Sequence, residues 1–245
     1  MSLYAVAIGL SVLGSFGGLI AASSFLLLGD SIRIKVLPWA ISYAVGTLLG
    51  VAVLALLPQA LERLPPAHAL GTLLVGVLAF FLLEKLVIWR HCHDANECEV
   101  HTSSAASLVI VGDAFHTFVD GAVIAAAVVT SIPLGVTTAL AVATHEIPQE
   151  VGDVAILLRA GFTRGRAFIL NLLSGIGGIL GAAGMLLASQ SLPNVLPYVL
   201  AFAAGNFLYV AMSDLIPDLH RGGVEGGPFR QLLLIGAGIL TIVAL

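Results

Sequence analysis

Two short stretches hold side chains whose types and spacing could bind an ion. Gly112-Asp113-Ala114-Phe115-His116-Thr117-Phe118-Val119-Asp120-Gly121 puts Asp113, His116 and Asp120 three and four residues apart, on one face of a helix. Ala143-Thr144-His145-Glu146-Ile147-Pro148-Gln149-Glu150-Val151-Gly152-Asp153 pairs His145 with Gln149 and Glu146 with Glu150 at four-residue spacing, with Asp153 about one turn further. Both stretches interrupt long apolar runs. A carboxylate in the middle of a bilayer is unfavourable by at least about 2.5–3.5 kcal/mol, and here five carboxylates would have to share a buried space. A divalent cation relieves both the burial and the mutual repulsion. Imidazole with carboxylate suits zinc and its first-row neighbours, whereas an all-oxygen set would favour calcium or magnesium. With no cysteine and little methionine nearby, copper(I) is disfavoured. A proton relay through the same groups, a sodium site and structural packing are the other readings of this pattern.

The elements that must position these residues are membrane helices. The 245-residue chain is 59% hydrophobic and 10% charged, with mean hydropathy +1.07; a soluble domain carries about 25% charged residues. Apolar runs long enough to cross a bilayer recur from end to end. We place eight, over 4–28, 36–61, 68–90, 105–131, 134–159, 166–190, 194–217 and 229–245, separated by turn or charge signals such as Pro65-Pro66 and Ser131-Ile132-Pro133. The expected fold is an all-α membrane protein of eight transmembrane helices, forming a single membrane domain over 1–245. The first run has no basic leader and exceeds the apolar core of a signal peptide, so it reads as a retained helix. Pro148 removes one backbone donor, and the reading expects a local break in the fifth span there. A net charge of −4 without a basic run gives no reason to expect nucleic acid as a partner.

Nine of the ten basic residues fall at one set of span ends, and only Arg63 lies at the other. The positive-inside rule makes the first side cytoplasmic and puts both termini outside. A faint repeat links the first span, Ser15 to Ala22, with the sixth, Gly175 to Ala183. It also links Leu56-Leu57-Pro58-Gln59 in the second with Leu215-Ile216-Pro217-Asp218 in the seventh. An offset of five spans inverts the copies, giving a 3+2+3 arrangement in which spans 1–3 and 6–8 flank spans 4–5, as in carriers that hold substrate between their halves. Chance likeness among helices rich in small residues is the alternative.

His116-Thr117-Phe118-Val119-Asp120-Gly121 together with His145-Glu146-Ile147-Pro148-Gln149-Glu150 resembles the paired signature of the ZIP family of divalent metal transporters. The likeness is to its bacterial members and to the branch with an HEIPHE-type fifth span. It extends to the eight spans, the variable loop after the third, and Gly205 to Ala211 with Asp214 and Pro217 in the seventh. This resemblance implies secondary transport of a divalent ion, Zn2+ foremost and otherwise Fe2+, Mn2+, Co2+ or Cd2+, into the cytosol, through an often binuclear site between spans four and five. His116, Asp120, His145, Glu146 and Gln149 fall on the family's metal-binding positions. Asp113, Glu150 and Asp153 are expected beside them or along the path. Thr117 stands where Asn is usual, Gln149 where His or Glu is frequent, and Ala55 where a His or Met often precedes Leu-Leu-Pro; these departures leave the number of ions and the metal preference open. The implied setting is a bacterial inner membrane, with a homodimer as a possible assembly and no organic cofactor.

The cytoplasmic loop 90–104 gathers His91, Cys92, His93, Cys98 and His101 with three acids. Its spacing fits no structural zinc finger; it reads either as a dynamic metal contact or as a solvated polar loop. Asp214 and Asp218 share a helix face near the inner end of span seven, and Glu84 beside Lys85 reads as an interfacial pair. The chain lacks a Gly-x-x-x-x-Gly-Lys loop, so no ATP drive is expected. An intramembrane zinc hydrolase is the competing function. It would need a His-Glu-x-x-His motif, whose second His is replaced here by Gln149.

Overall fold

The computed structural model describes residues 2–26, 30–89, 102–221 and 227–245. Every regular element in them is helical: α1 (Leu3–Leu26), α2 (Asp30–Gly50), α3 (Leu57–Leu61), α4 (Pro66–Trp89), α5 (Thr102–Thr130), α6 (Ile132–Arg159), α7 (Arg164–Ser174), α8 (Ile176–Ser191), α9 (Leu196–Tyr209), α10 (Ile216–Arg221) and α11 (Gly227–Ala244). π-Helical turns over Val51–Leu56 and Val210–Leu215 join α2 to α3 and α9 to α10. The eleven helices therefore form eight rods, close to the expected spans. The His- and Cys-bearing loop, with His91, Cys92, His93, Cys98 and His101, lies outside the described residues.

Seven rods are long and apolar enough to cross a membrane. The eighth, α6, is not among them, because it carries His145, Glu146, Gln149, Glu150 and Asp153. It is also enclosed, packing on α1, α2, α5 and α7. The polar helix is thereby kept from the outer surface, where Leu13, Leu78, Leu187 and Leu240 are more than half exposed. An apolar exterior around a polar interior is what a bilayer solvent requires.

Local chemistry sets the helix limits. Ser131 caps α6 by accepting the N–H of Leu134, with Pro133 in the first turn. Gly161, at φ +86°, ends it in a conformation that suits glycine. Thr163 then caps α7 through the N–H of Arg166. The break expected at Pro148 does not occur: α6 runs through it without interruption. The irregular turns lie elsewhere, immediately before Pro58 and Pro217. Each of these prolines lacks the N–H that would serve the carbonyl four residues back, Leu54 and Ser213 respectively, and both carbonyls lie inside a π turn. The sixth rod is broken between Ser174 and Ile176.

Two seams fix the helix pairs next to the polar centre. A Cβ on Gly121 of α5 would collide with the carbonyl of Gly178 in α8. On the other flank, Gly205 of α9 sits against the Leu73 carbonyl, and Gly76 of α4 against that of Phe202. Only glycine allows this backbone-to-backbone approach. Further along the α4–α9 seam, the Tyr209 hydroxyl donates to Glu84, and the Phe81 ring meets the Tyr209 ring edge-on.

Candidate metal site

The facing stretches of α5 and α6 bring four donors together. One ligand atom from each of His116, Asp120, His145 and Glu146 lies within 4.8 Å of the others, and all four residues are buried. His116 Nε2 stands 3.1 Å from His145 Nε2. Asp120 Oδ2 lies 3.5 Å from the first and 3.2 Å from the second. Nδ1 of His145 is 3.0 Å from the Ala141 carbonyl. A carbonyl only accepts, so Nδ1 carries the proton, and in the neutral ring the Nε2 lone pair points at the cluster. Apart from these histidine nitrogens, no donor among the described residues reaches either Asp120 oxygen or either Glu146 oxygen. Buried carboxylates without donors are destabilising, and a cation is the one partner that would engage all four acceptors at once. Two imidazoles and two carboxylates match a first-row divalent ion.

A cavity of about 680 Å³ reaches the cluster. His116, His145, Gln149, Asp113 and Asp153 line it, together with Glu84, Tyr209, Asp214 and Asp218. Its walls come from the early part of α2, the late part of α4, the early part of α5, the late part of α6 and the end of the seventh rod. The cavity therefore occupies the half of the bundle toward the ends at Asp30, Trp89, Thr102, Arg159 and Arg221.

The remaining sequence candidates occupy different positions. Gln149 donates to Asp113 Oδ1 at 3.2 Å and faces the cavity, and Ser174 donates to the other Asp113 oxygen. Asp113 is thus held by α6 and by the break in the sixth rod. Thr117 is also committed to that break, its hydroxyl lying 2.6 Å from the Asp113 carbonyl and 3.1 Å from the Ser174 carbonyl. Glu150 is buried outside the four-donor cluster with one oxygen unpaired, and Asp153 lies along the cavity. Glu84, read from sequence as an interfacial partner of Lys85, instead meets Tyr209 across the α4–α9 seam. Phe80 and Phe207, which the sequence alone does not single out, pack their rings on His116 and His145. An aromatic residue in an apolar span carries no sign that it faces a polar site.

The profile of the ZIP zinc transporter family matches residues 89–245, which include the whole donor cluster. The chain belongs to this family. A zinc transporter ZIP13 from Pongo abelii is 36% identical over 219 residues, covering 83% of this chain and 65% of that protein. Human zinc transporter ZIP13 is 31% identical over 256 residues, covering 83% and 69%. Human zinc transporter ZIP10 is 37% identical over 155 residues, covering 61% of this chain but 19% of its own length. The chain thus spans about two thirds of the first two relatives and a fifth of the third. Members of the ZIP family are transporters, not enzymes, which argues against the hydrolase reading, and the seven apolar helices fit an integral membrane protein.

Proposed function

We propose that this ZIP family chain is a secondary transporter that carries a divalent metal ion, Zn2+ first, through a site between α5 and α6. His116, Asp120, His145 and Glu146 hold the ion. Gln149, Asp113, Glu150 and Asp153 line its path or support the ligands, while Thr117 secures α5 to the break in the sixth rod. The observation that carries the reading is the convergence of four buried donor residues, two of them carboxylates whose oxygens find no donor outside the cluster among the described residues. The relatives' names, each a zinc transporter, support zinc as the cargo. Fe2+, Mn2+, Co2+ and Cd2+ fit the same donor chemistry.

Movement is toward the cytoplasm. The cavity lies on the side where the basic residues gather, and the positive-inside rule makes that side the cytosol. It follows that the site is open inward in this structure and that both termini lie outside, with a bacterial plasma membrane as the setting. α6 crosses the bilayer inside the bundle, completing eight spans in one domain over 1–245.

The spans form two inverted sets of three around α5 and α6. Corresponding features support this: a π turn before a proline in the second rod and again in the seventh, and α1 packed on α6 as α8 is on α5. The Gly205–Leu73 and Gly76–Phe202 approaches between α9 and α4 also have counterparts, Gly46 on Ile235 and Gly238 on Tyr43, between α2 and α11. Such a pair of repeats suits alternating access around a fixed central site. The cytoplasmic loop 90–104 would receive the released ion through His91, Cys92, His93, Cys98 and His101, and a homodimer is the assembly we expect.

Zinc uptake into proteoliposomes tests the site. Wild type should accumulate zinc without ATP, and His116→Ala should abolish the flux. Undiminished flux in that variant would remove the site assignment.

A further inference from the structure

We propose that Phe80 and Phe207 form an aromatic clamp that sets the orientation of the two histidine rings for the ion, with Phe80 as the ring that borders the cavity. The inference rests on the metal-site reading above and adds two residues that carry no ligand atom. Phe80 meets His116 edge-on, with ring centroids 6.0 Å apart and planes at 79°. Phe207 meets His145 at 5.9 Å and 59°. The histidine rings themselves stand at 77° to each other, 5.4 Å apart. The four rings thus form a continuous row across the site, two contacts edge-on and the third, between Phe207 and His145, tilted, and edge-on contact is an arrangement that aromatic quadrupoles favour.

The two histidines depend on the clamp to different degrees. His145 has an anchor of its own, from Nδ1 to the Ala141 carbonyl. Among the described residues His116 makes its polar contacts only through Nε2, the atom that must face the ion, 3.1 Å from His145 Nε2 and 3.5 Å from Asp120 Oδ2. Among the described residues no hydrogen bond reaches Nδ1 on its other edge. Packing against Phe80 therefore decides where Nε2 points.

Phe80 and Phe207 can orient other groups because their own positions are fixed. Phe80 follows Gly76 by one turn in α4, and Phe207 lies two residues beyond Gly205 in α9. Both glycines sit where the α4 and α9 backbones touch, and the bond from Tyr209 to Glu84 closes the same seam. Both phenylalanines are buried, and Phe80 alone of the two lines the cavity. The clamp belongs to α4 and α9, whereas the ligands belong to α5 and α6. Sliding one pair past the other would lift the rings from the histidines, so the ion's affinity would change as the site changes the side it faces. A donor set pre-positioned by packing binds more tightly than one left to find its rotamers.

Metal binding by the full-length chain in detergent tests the clamp, using Co2+ followed by its visible absorption and Zn2+ followed by calorimetry. Phe80→Ala should weaken both metals by roughly threefold to tenfold and alter the cobalt band. Phe80→Tyr should restore affinity and spectrum. Phe80→Leu, which keeps most of the volume, should restore the melting temperature but not the spectrum. Phe207→Ala should have the smaller effect, because His145 keeps its backbone anchor. A Phe80→Ala variant with wild-type affinity and spectrum would overturn the clamp, as would a Leu variant that rescues as fully as Tyr. Wild type that binds neither metal would overturn the site assignment and the clamp together, whereas wild type that binds beside an unaffected Phe80→Ala overturns the clamp alone.

Discussion

Asp120 and Glu146 show how the proposed binding site differs from a folding core. Their four oxygens are buried with no donor from outside the cluster among the described residues, an arrangement that disfavours the metal-free fold by about 1–3 kcal/mol per unpaired group. Sites held for function commonly sacrifice stability in this way. Glu146→Gln should therefore raise the melting temperature of the chelator-treated chain in detergent, since an amide is less unfavourable to bury than a carboxylate. The same change should remove most of the extra stability that zinc confers by mass action on the wild type. A variant that melts lower without metal, yet still gains the full zinc increment, would contradict a ligand role for Glu146. At this scale the sequence was informative about donors. The spacing of His116 and Asp120, and of His145 beside Glu146, marks a shared helix face. It was silent about Phe80 and Phe207, because an apolar side chain against a histidine looks like any other core residue until the fold supplies the neighbour.

Helices α5 and α6 can bring their donors within 4.8 Å only if their backs are held by close partners. Gly121 against the Gly178 carbonyl is the contact that fixes α5 on α8. Gly121→Val should accordingly destabilise the chain by about 1–3 kcal/mol or more through overpacking, seen as a lower melting temperature in detergent. Gly205→Val should do the same on the α4–α9 side, whereas Gly152→Val, where nothing lies within 4 Å of the added Cβ, should be much milder. Equal melting temperatures for all three would show that these seams do not govern stability. Proline gave a mixed signal. Pro58 and Pro217 coincide with π turns, yet Pro148 sits inside an unbroken helix. Enclosure of α6 by four neighbours constrains its path more than the loss of one hydrogen bond.

For the whole molecule, the cavity and most of the basic residues lie toward the same end of the bundle. Asp218 lines the cavity near the end of the seventh rod, whereas Arg63 lies at the opposite end of the bundle. In a background with Cys92 and Cys98 replaced by Ser, a cysteine substituted for Asp218 should react with a membrane-impermeant thiol reagent only from the cytoplasmic side. Arg63→Cys should react only from outside. Labelling of both from one side would overturn the topology. Added zinc should slow labelling at Asp218 if the ion occupies the cavity route.

Composition and hydropathy by themselves determined that the chain is helical and membrane-embedded, because a bilayer leaves few other ways to satisfy the backbone. Residue spacing determined which side chains were available to hold an ion. The tertiary structure decided which of them converge. His116, Asp120, His145 and Glu146 meet, while Asp113 is drawn to Ser174 and Gln149, Thr117 to backbone carbonyls, and Glu150 and Asp153 lie outside the cluster. Periodicity within one helix reports which residues share a face. The rotation and depth at which two helices meet depend on contacts such as Gly121 on Gly178, between residues far apart in the chain, and these exist only once the bundle has assembled.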